Sequence, residues 1–312
     1  MSLVSSYKST PAAIKSATNT CRQATLLTGD ALRLAKTLPD NSIDMIFSSP
    51  PYCMGKEYES TNNVSDFLAQ HQRLLPELVR ILKPGGSLCW QTGNHVKDGV
   101  VTPLDSLIIS LLISDERVQL RNRVVWSVGH GLHCTNRFSG RHETILWYSK
   151  GNNYKFNLDA VRVPQKYPGK RHSKGPRKGE LSGNPLGKNP GDVWEIPNVK
   201  AHHIEKTAHP CQFPVALPQK FIRALTEQDD LILDPFMGSG STGVAAIIEG
   251  RRFLGSDIDP SYVAIAEERV QSALKGKAKV RAWNQALAEP NPNERVARRP
   301  EHFFHAKEPQ EI

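Results

Sequence analysis

From the N-terminus, apolar residues fall into short blocks separated by turn residues, and the blocks alternate between a period of two and a period near 3.6. Leu26-Leu27 precede Gly29-Asp30, an amphipathic run continues to Leu38, and Pro39-Asp40-Asn41 turns the chain into Ile43-Asp44-Met45-Ile46-Phe47. That order reads as strand, helix, strand. The second strand ends in Ser49-Pro50-Pro51-Tyr52. Two prolines cannot supply the N–H groups of a central strand, so the chain must leave the sheet there and carry Tyr52 on a loop. The spacing predicts a helix over Ser65–Leu82, a turn at Lys83-Pro84-Gly85-Gly86, a strand at Ser87–Trp90, a helix over Pro103–Ile113 and strands at Arg123–Val128 and Thr144–Tyr148. After a stretch rich in Pro and Gly the alternation resumes: a helix near Leu217–Leu225, strand Leu231–Leu233, loop Asp234–Thr242, a helix to Glu249, strand Arg252–Gly255 and helix Ser261–Leu274. Such alternation predicts a wound α/β sheet.

The chain has 312 residues, enough for one α/β domain with an inserted lobe. The expected division is a flexible tail over 1–20, a first half of the domain over 21–150, a lobe over 151–208, a second half over 209–275 and a C-terminal tail over 276–312. Lys and Arg number 40 against 31 Asp and Glu, a net charge of +9. The lobe holds 11 of those bases against 5 acids, so two thirds of the excess lies there, an arrangement that favours an anionic partner. The longest apolar runs, Leu107–Ile113 and Val244–Ile248, fall far below the roughly 18 residues of a spanning helix. Residues 1–20 lack the apolar core of a secretory signal, so a cytoplasmic location without membrane contact is expected. Five cysteines, at 21, 53, 89, 134 and 211, include no Cys-x-x-Cys pair and predict reduced thiols. His130, His133 and Cys134 cluster without a second ligand pair, and no metal is expected.

Asp234-Pro235-Phe236-Met237-Gly238-Ser239-Gly240-Ser241-Thr242-Gly243 follows an apolar strand and opens a helix. Gly238 and Gly240 let backbone approach a ligand, Ser241 or Thr242 can cap the helix, and Asp257 at the end of the next strand can accept hydrogen bonds from ribose hydroxyls. Together they describe a nucleoside site. No Lys follows the glycines, so triphosphate binding has nothing to neutralise its charge.

With Ser49–Tyr52 placed before it, this loop resembles that of the amino-methyltransferase family of DNA methyltransferases, the match covering most of Gly29 to Leu274. Further matching elements are Lys83–Gly86, the Arg137–Tyr148 run with His142-Glu143, His209-Pro210-x-Gln212-x-Pro214, and Gly255–Arg269 with Tyr262. The catalytic tetrapeptide comes first and the cofactor loop last, which resembles the permuted subgroup called β. The resemblance implies a Rossmann-like sheet assembled from both halves, with the lobe between them as target-recognition domain. It implies S-adenosylmethionine held by Asp30, His209, Asp234, Phe236, Gly238, Ser239, Gly240 and Asp257. It also implies double-stranded DNA as partner, near Arg137 and Arg141, with Glu143 tying an arginine in place; a homodimer and a cognate restriction endonuclease are left open. Charge and position add Lys170, Arg171, Lys174, Arg177 and Lys178 as DNA contacts. Phe213 departs from the Lys of many relatives, which leaves contacts to the methionine carboxylate open.

The chemistry of Ser49-Pro50-Pro51-Tyr52 follows from the substrate. The exocyclic amine of cytosine or adenine is a poor nucleophile because its lone pair is delocalised into the ring. Ser49 Oγ and the Pro50 carbonyl can accept its two N–H bonds, the prolines fix that carbonyl, and Tyr52 gives an extruded base a face to stack on. Direct in-line transfer then depends chiefly on positioning. Family members with Ser first are mostly cytosine-N4 enzymes, which favours cytosine over the adenine-N6 alternative. Pro210-Cys211-Gln212 copies the Pro-Cys-Gln of cytosine-C5 methyltransferases, but the motif order and the absence of Glu-Asn-Val oppose that chemistry and leave Cys211 structural. The competitor from another class, a silent DNA-binding protein, needs neither Ser49–Tyr52 nor Asp234–Gly243 intact.

Overall fold

A computed structural model describes residues 4–8, 23–52, 63–129, 131, 133–200 and 202–285. In chain order these hold β1 (Val4–Lys8), β2 (Ala24–Thr28), α1 (Ala31–Thr37), β3 (Ile43–Ser48), α2 (Val64–Ile81), β4 (Leu82–Thr92), β5 (Asn94–Lys97), β6 (Val100–Pro103) and α3 (Leu104–Leu112). Then come β7 (Val118–Ser127), β8 (His142–Lys150), β9 (Val193–Glu195), α4 (Ala216–Leu225), β10 (Leu231–Asp234), α5 (Ser241–Ile248), β11 (Arg252–Asp257) and α6 (Pro260–Leu274).

Alternation along the strands sorts their side chains onto two buried faces. Leu26, Met45, Phe47, Cys89, Trp147 and Phe253 face α4, α5 and α6, while Leu27, Ile46, Leu88, Trp90, Tyr148 and Leu254 face α1, α2 and α3. Because helices cover both faces, the strands read as nearly continuous apolar runs. Each fully buried Leu, Ile or Phe in them contributes about 1.5–3 kcal/mol.

The large sheet runs β1-β2-β11-β10-β3-β4-β8-β7-β9, and β5 with β6 forms a separate hairpin. Only β8 is antiparallel to its neighbours, so the other strands end at one common edge. The two strands between β2 and β3, β11 and β10, come from the second half of the chain. β10 pairs with β3 (Ile232 opposite Met45), and β11 pairs with β2 (Phe253 opposite Ala24). One sheet is thus assembled from both halves, as expected.

Several elements differ from the sequence expectation. Residues 4–8 form a parallel edge strand on β2 instead of lying in a tail. Beyond 275, Trp283 packs against the core and the Arg281 N–H donates to Glu205 Oε1 at 3.1 Å. Strand β4 starts at Leu82 and runs through the expected turn; Gly85 absorbs the distortion at φ +80°, where a Cβ would stand 2.4 Å from the Asn153 carbonyl oxygen. The basic lobe is largely irregular, with bridges between Val163 and Lys188 and between Arg171 and Leu181. Its base is fastened to α4, with Asn157 N–H donating to Ala224 O at 2.7 Å and Arg223 Nε donating to Ala160 O at 3.1 Å. Among the described residues no helix is long and apolar enough to cross a membrane.

Candidate active site

Adjacent strands β3 and β10 deliver Ser48 and Asp234 to the same edge, where the chain leaves both strands. Asp234 is fully buried. Ser48 Oγ donates to its Oδ1 at 2.6 Å, Thr242 Oγ1 donates to its Oδ2 at 2.6 Å, and the Phe236 N–H donates to Oδ1 at 3.2 Å. Burial outweighs these donors and pushes the carboxyl up to about 6. Asp234 therefore clasps the strand before Ser49 to the glycine loop and to the first turn of α5.

The loop is tied down at successive residues. Met237 N–H donates to Ser256 O at 2.9 Å, Gly238 N–H to Asp257 Oδ2 at 2.9 Å, and Arg269 Nη1 to Ser239 O at 2.7 Å. Gly238 and Gly240 adopt φ of +47° and +76°. A Cβ at 238 would stand 2.8 Å from His209 Nε2, and one at 240 would stand 2.8 Å from Ala266 Cβ. The space the glycines leave is thus filled by protein: His209 on one side, α6 on the other.

His209 lies edge-on to Tyr262 at 4.3 Å and accepts from the Cys211 N–H at 3.2 Å. Burial, reinforced by Lys206 and Arg269, pushes its imidazole down to about 4, so the ring is neutral at pH 7. Phe213 is buried and packs on Phe47 at 5.7 Å between ring centres, while its carbonyl accepts from Ser241 Oγ at 2.8 Å. The aromatic ring at 213 has thus joined the core. Cys211 is exposed.

Asp257 ends β11, accepting from Gly238 N–H and, at 3.0 Å, from Asp259 N–H; burial raises its carboxyl. Its carbonyl accepts from Gly29 N–H at 2.9 Å, which sets Asp30 on the neighbouring strand end as the N-cap of α1. Phe236 lies edge-on to Trp90 at 6.2 Å. The structure accordingly brings Asp30, Ser49–Tyr52, His209, Asp234, Phe236, Gly238–Gly240 and Asp257 to one stretch of the sheet edge.

On the tetrapeptide side, Tyr52 Oη donates to Glu143 Oε2 at 3.0 Å and stands 3.3 Å from Ser49 Oγ. Gln91 Nε2 donates to the same Glu143 oxygen at 2.6 Å. The Tyr52 ring lies against the backbone of Gly93, where a Cβ would come within 2.9 Å of Cε2. Burial, followed by the nearby Glu143 charge, holds the phenol well above its ordinary range, so it stays a neutral donor. Burial also raises Glu143. Glu143, expected to tie an arginine, takes Tyr52 and Gln91 instead. Ser48 and Gln91 were missed by sequence reasoning, although polar residues closing the apolar runs Ile43–Phe47 and Leu88–Trp90 are a signal of buried partners.

Arg137 is exposed and Arg141 half-buried in the β7–β8 loop, which opens at the edge where β7 ends and β8 begins. Lys170, Arg171, Lys174, Arg177 and Lys178 are exposed on a loop bridged by Arg171 and Leu181 and share no hydrogen bond with the strand-end cluster. Among the described residues no group of His, Cys, Asp or Glu is arranged to hold a metal; His130 lies outside them.

Residues 43–268 match the family model for N6/N4 methyltransferases, described as DNA methylase. The chain is 45% identical over 239 residues to the type II methyltransferase M.BglII of Bacillus subtilis, covering 76% of this chain and 66% of that protein. It is 31% identical over 254 residues to the DNA adenine methyltransferase YhdJ of Escherichia coli K12, covering 80% and 83%. Two solved structures share the fold. The cytosine-N4-specific PvuII DNA methyltransferase has a TM-score of 0.63 at 23% identity, covering 82% of this chain and 94% of that one. TTHA0409 of Thermus thermophilus, complexed with S-adenosyl-L-methionine, has 0.57 at 25% identity, covering 80% and 96%.

Proposed function

The chain belongs to the family of DNA methylases that act on amino nitrogens, and on that premise we propose that it methylates cytosine N4 in duplex DNA with S-adenosylmethionine as donor. The observation that carries the reading is the Ser48–Asp234–Thr242 clasp, which joins the tetrapeptide strand directly to the glycine loop. A merely structural turn has no need of a buried carboxylate shared between the two.

The residues present suit the donor. Asp257 is a partly desolvated carboxylate whose oxygens each hold one backbone N–H, leaving lone pairs for ribose hydroxyls. Asp30 adds an exposed carboxylate on the next strand end, and Phe236 a half-buried ring. S-adenosylmethionine supplies a methyl group activated by its sulfonium.

The chain's own residues then position the base. Ser49 Oγ and the Pro50 carbonyl accept the two amine hydrogens, the proline ring of Pro51 restrains that carbonyl, and the extruded base stacks on Tyr52. Because Tyr52 Oη stands against Ser49 Oγ, an arriving amine replaces that contact while Glu143 keeps hold of the phenol. Arg137, Arg141 and the run Lys170–Lys178 supply the phosphate contacts of a target-recognition lobe. A type II relative at 45% identity supports a place in restriction and modification.

The choice of cytosine rests on Ser49. Adenine N6 is the second reading, favoured by the likeness to the E. coli adenine enzyme, since a serine hydroxyl also accepts from that amine. Nucleoside mass spectrometry of DNA treated with the protein and S-adenosylmethionine decides: N4-methylcytosine is expected, and N6-methyladenine alone would overturn the cytosine assignment.

A further inference from the structure

A cavity of about 300 Å³ lies away from the strand-end site, between the outer strands β7, β8 and β9, helix α4 and the base of the basic lobe. Trp147, Phe156, Trp194 and Phe221 line it, with Lys220 among them. Trp147 stacks on Phe156 at 5.6 Å and 19°, and Trp194 meets Phe221 at 4.7 Å. The volume is that of a small-molecule pocket, and the walls offer flat aromatic faces.

Lys220 gives this cavity its chemistry. The residue as a whole is 8% exposed, and its ammonium, which makes no hydrogen bond or ion pair among the described residues, keeps its access to the cavity it lines. Its partner there is the Trp194 ring, 4.0 Å from Nζ to the ring centre. That cation–π contact offsets part of the hydration lost by the stem and head, and the ammonium's remaining donors are left to whatever enters the cavity. Burial pushes Lys220 down to about 8, so it remains largely charged at pH 7. Asp192, the other ionisable side chain of the lining, is exposed and forms no ion pair with it.

We propose that this cavity binds a small planar aromatic carboxylate, its ring against Trp147, Trp194 and Phe221 and its carboxylate on the Lys220 ammonium. A charge-assisted hydrogen bond supplies the acceptor that the protein withholds. Duplex DNA is the poorer candidate, because Lys220 is only 8% exposed and stands among aromatic rings rather than beside further exposed bases. The site does not depend on the methyltransferase reading.

The test uses indole-3-acetate and its neutral amide, indole-3-acetamide, titrated calorimetrically into the full chain at pH 7. The acid should bind at least tenfold more tightly than the amide, the preference should vanish in Lys220→Met and persist in Lys220→Arg, and the melting temperature of each variant reports its folding. Equal affinities in the wild type, or no binding of the acid tighter than about 10 mM, would overturn the proposal without need of any variant. Displacement of the bound acid by a DNA duplex would assign the cavity to DNA and also overturn it.

Discussion

Around residues 234–242, the buried polar groups are engaged within the protein. The Asp234 carboxylate holds Ser48, Thr242 and the Phe236 amide, Gly238 holds Asp257, and Arg269 holds Ser239. Around residues 49–52 the arrangement is opposite: among the described residues the Ser49 hydroxyl meets only the Tyr52 phenol, at 3.3 Å, while that phenol rests on Glu143. On the proposed reading, the first loop always meets the same small molecule and gains from being built in advance, whereas the second would admit a base drawn out of a duplex and gains from contacts it can exchange.

Breaking the clasp should have the largest effect. Asp234→Ala strands two buried hydroxyls and should cost about 3 kcal/mol of folding stability by urea unfolding, whereas Asp234→Asn keeps an acceptor and should cost far less. The two carboxyl states sharpen the point. The folded-state carboxyl is raised from 3.8 to about 6, so its stabilising contribution is full below about 4 and is lost as pH rises through about 6. The wild type should therefore lose stability relative to Asp234→Asn across that window, by about 3 kcal/mol at most. Equal pH profiles would mean that the clasp carries no buried charge.

Ser49→Ala should be next, and of a different kind. Its folding should change by less than about 0.5 kcal/mol. Single-turnover methyl transfer should fall about a hundredfold, as when one preorganised hydrogen-bond partner is lost, with DNA and donor affinity nearly intact. A fall in stability matching that of Asp234→Ala would erase the distinction between the two loops.

Tyr52→Phe should be the smallest. It keeps the stacking face, frees Ser49 and leaves Glu143 with Gln91 alone, so turnover should drop by less than about tenfold, near the 1 kcal/mol of one hydrogen bond. Inactivity equal to that of Tyr52→Ala would show that the phenol hydroxyl, and with it Glu143, does more than hold the ring.

Much of this was legible in the chain. Alternating periods located the strands on either side of the site, and the family resemblance carried by Ser49–Tyr52 and Asp234–Gly243 implied a sheet drawn from both halves. What escaped had no local signature. Strand β9 is three residues inside a stretch of prolines and glycines, held by register with Val125–Ser127 rather than by its own pattern. Strand β4 carries Pro84-Gly85-Gly86 as a bulge, because pairing with β3 passes from Ile43–Leu82 to Met45–Ser87 and leaves the turn residues unpaired within one strand. At the site, glycines expected to make room for a ligand make room for His209 and Ala266. Sequence can show that space is needed but not which neighbour fills it.

The seam between β3 and β10 also dictates how the molecule comes into being. Ser48 and Asp234 are 186 residues apart, and both strands separating β2 from β3 belong to the later half. At cellular synthesis rates, roughly ten to forty seconds pass before the emerging chain can close that gap. Until then the first half holds two unjoined pieces of sheet with apolar edges bare, and high contact order makes their closure slow. The chain order that separates the two loops thus leaves those edges open to mispairing for as long as the later strands are missing.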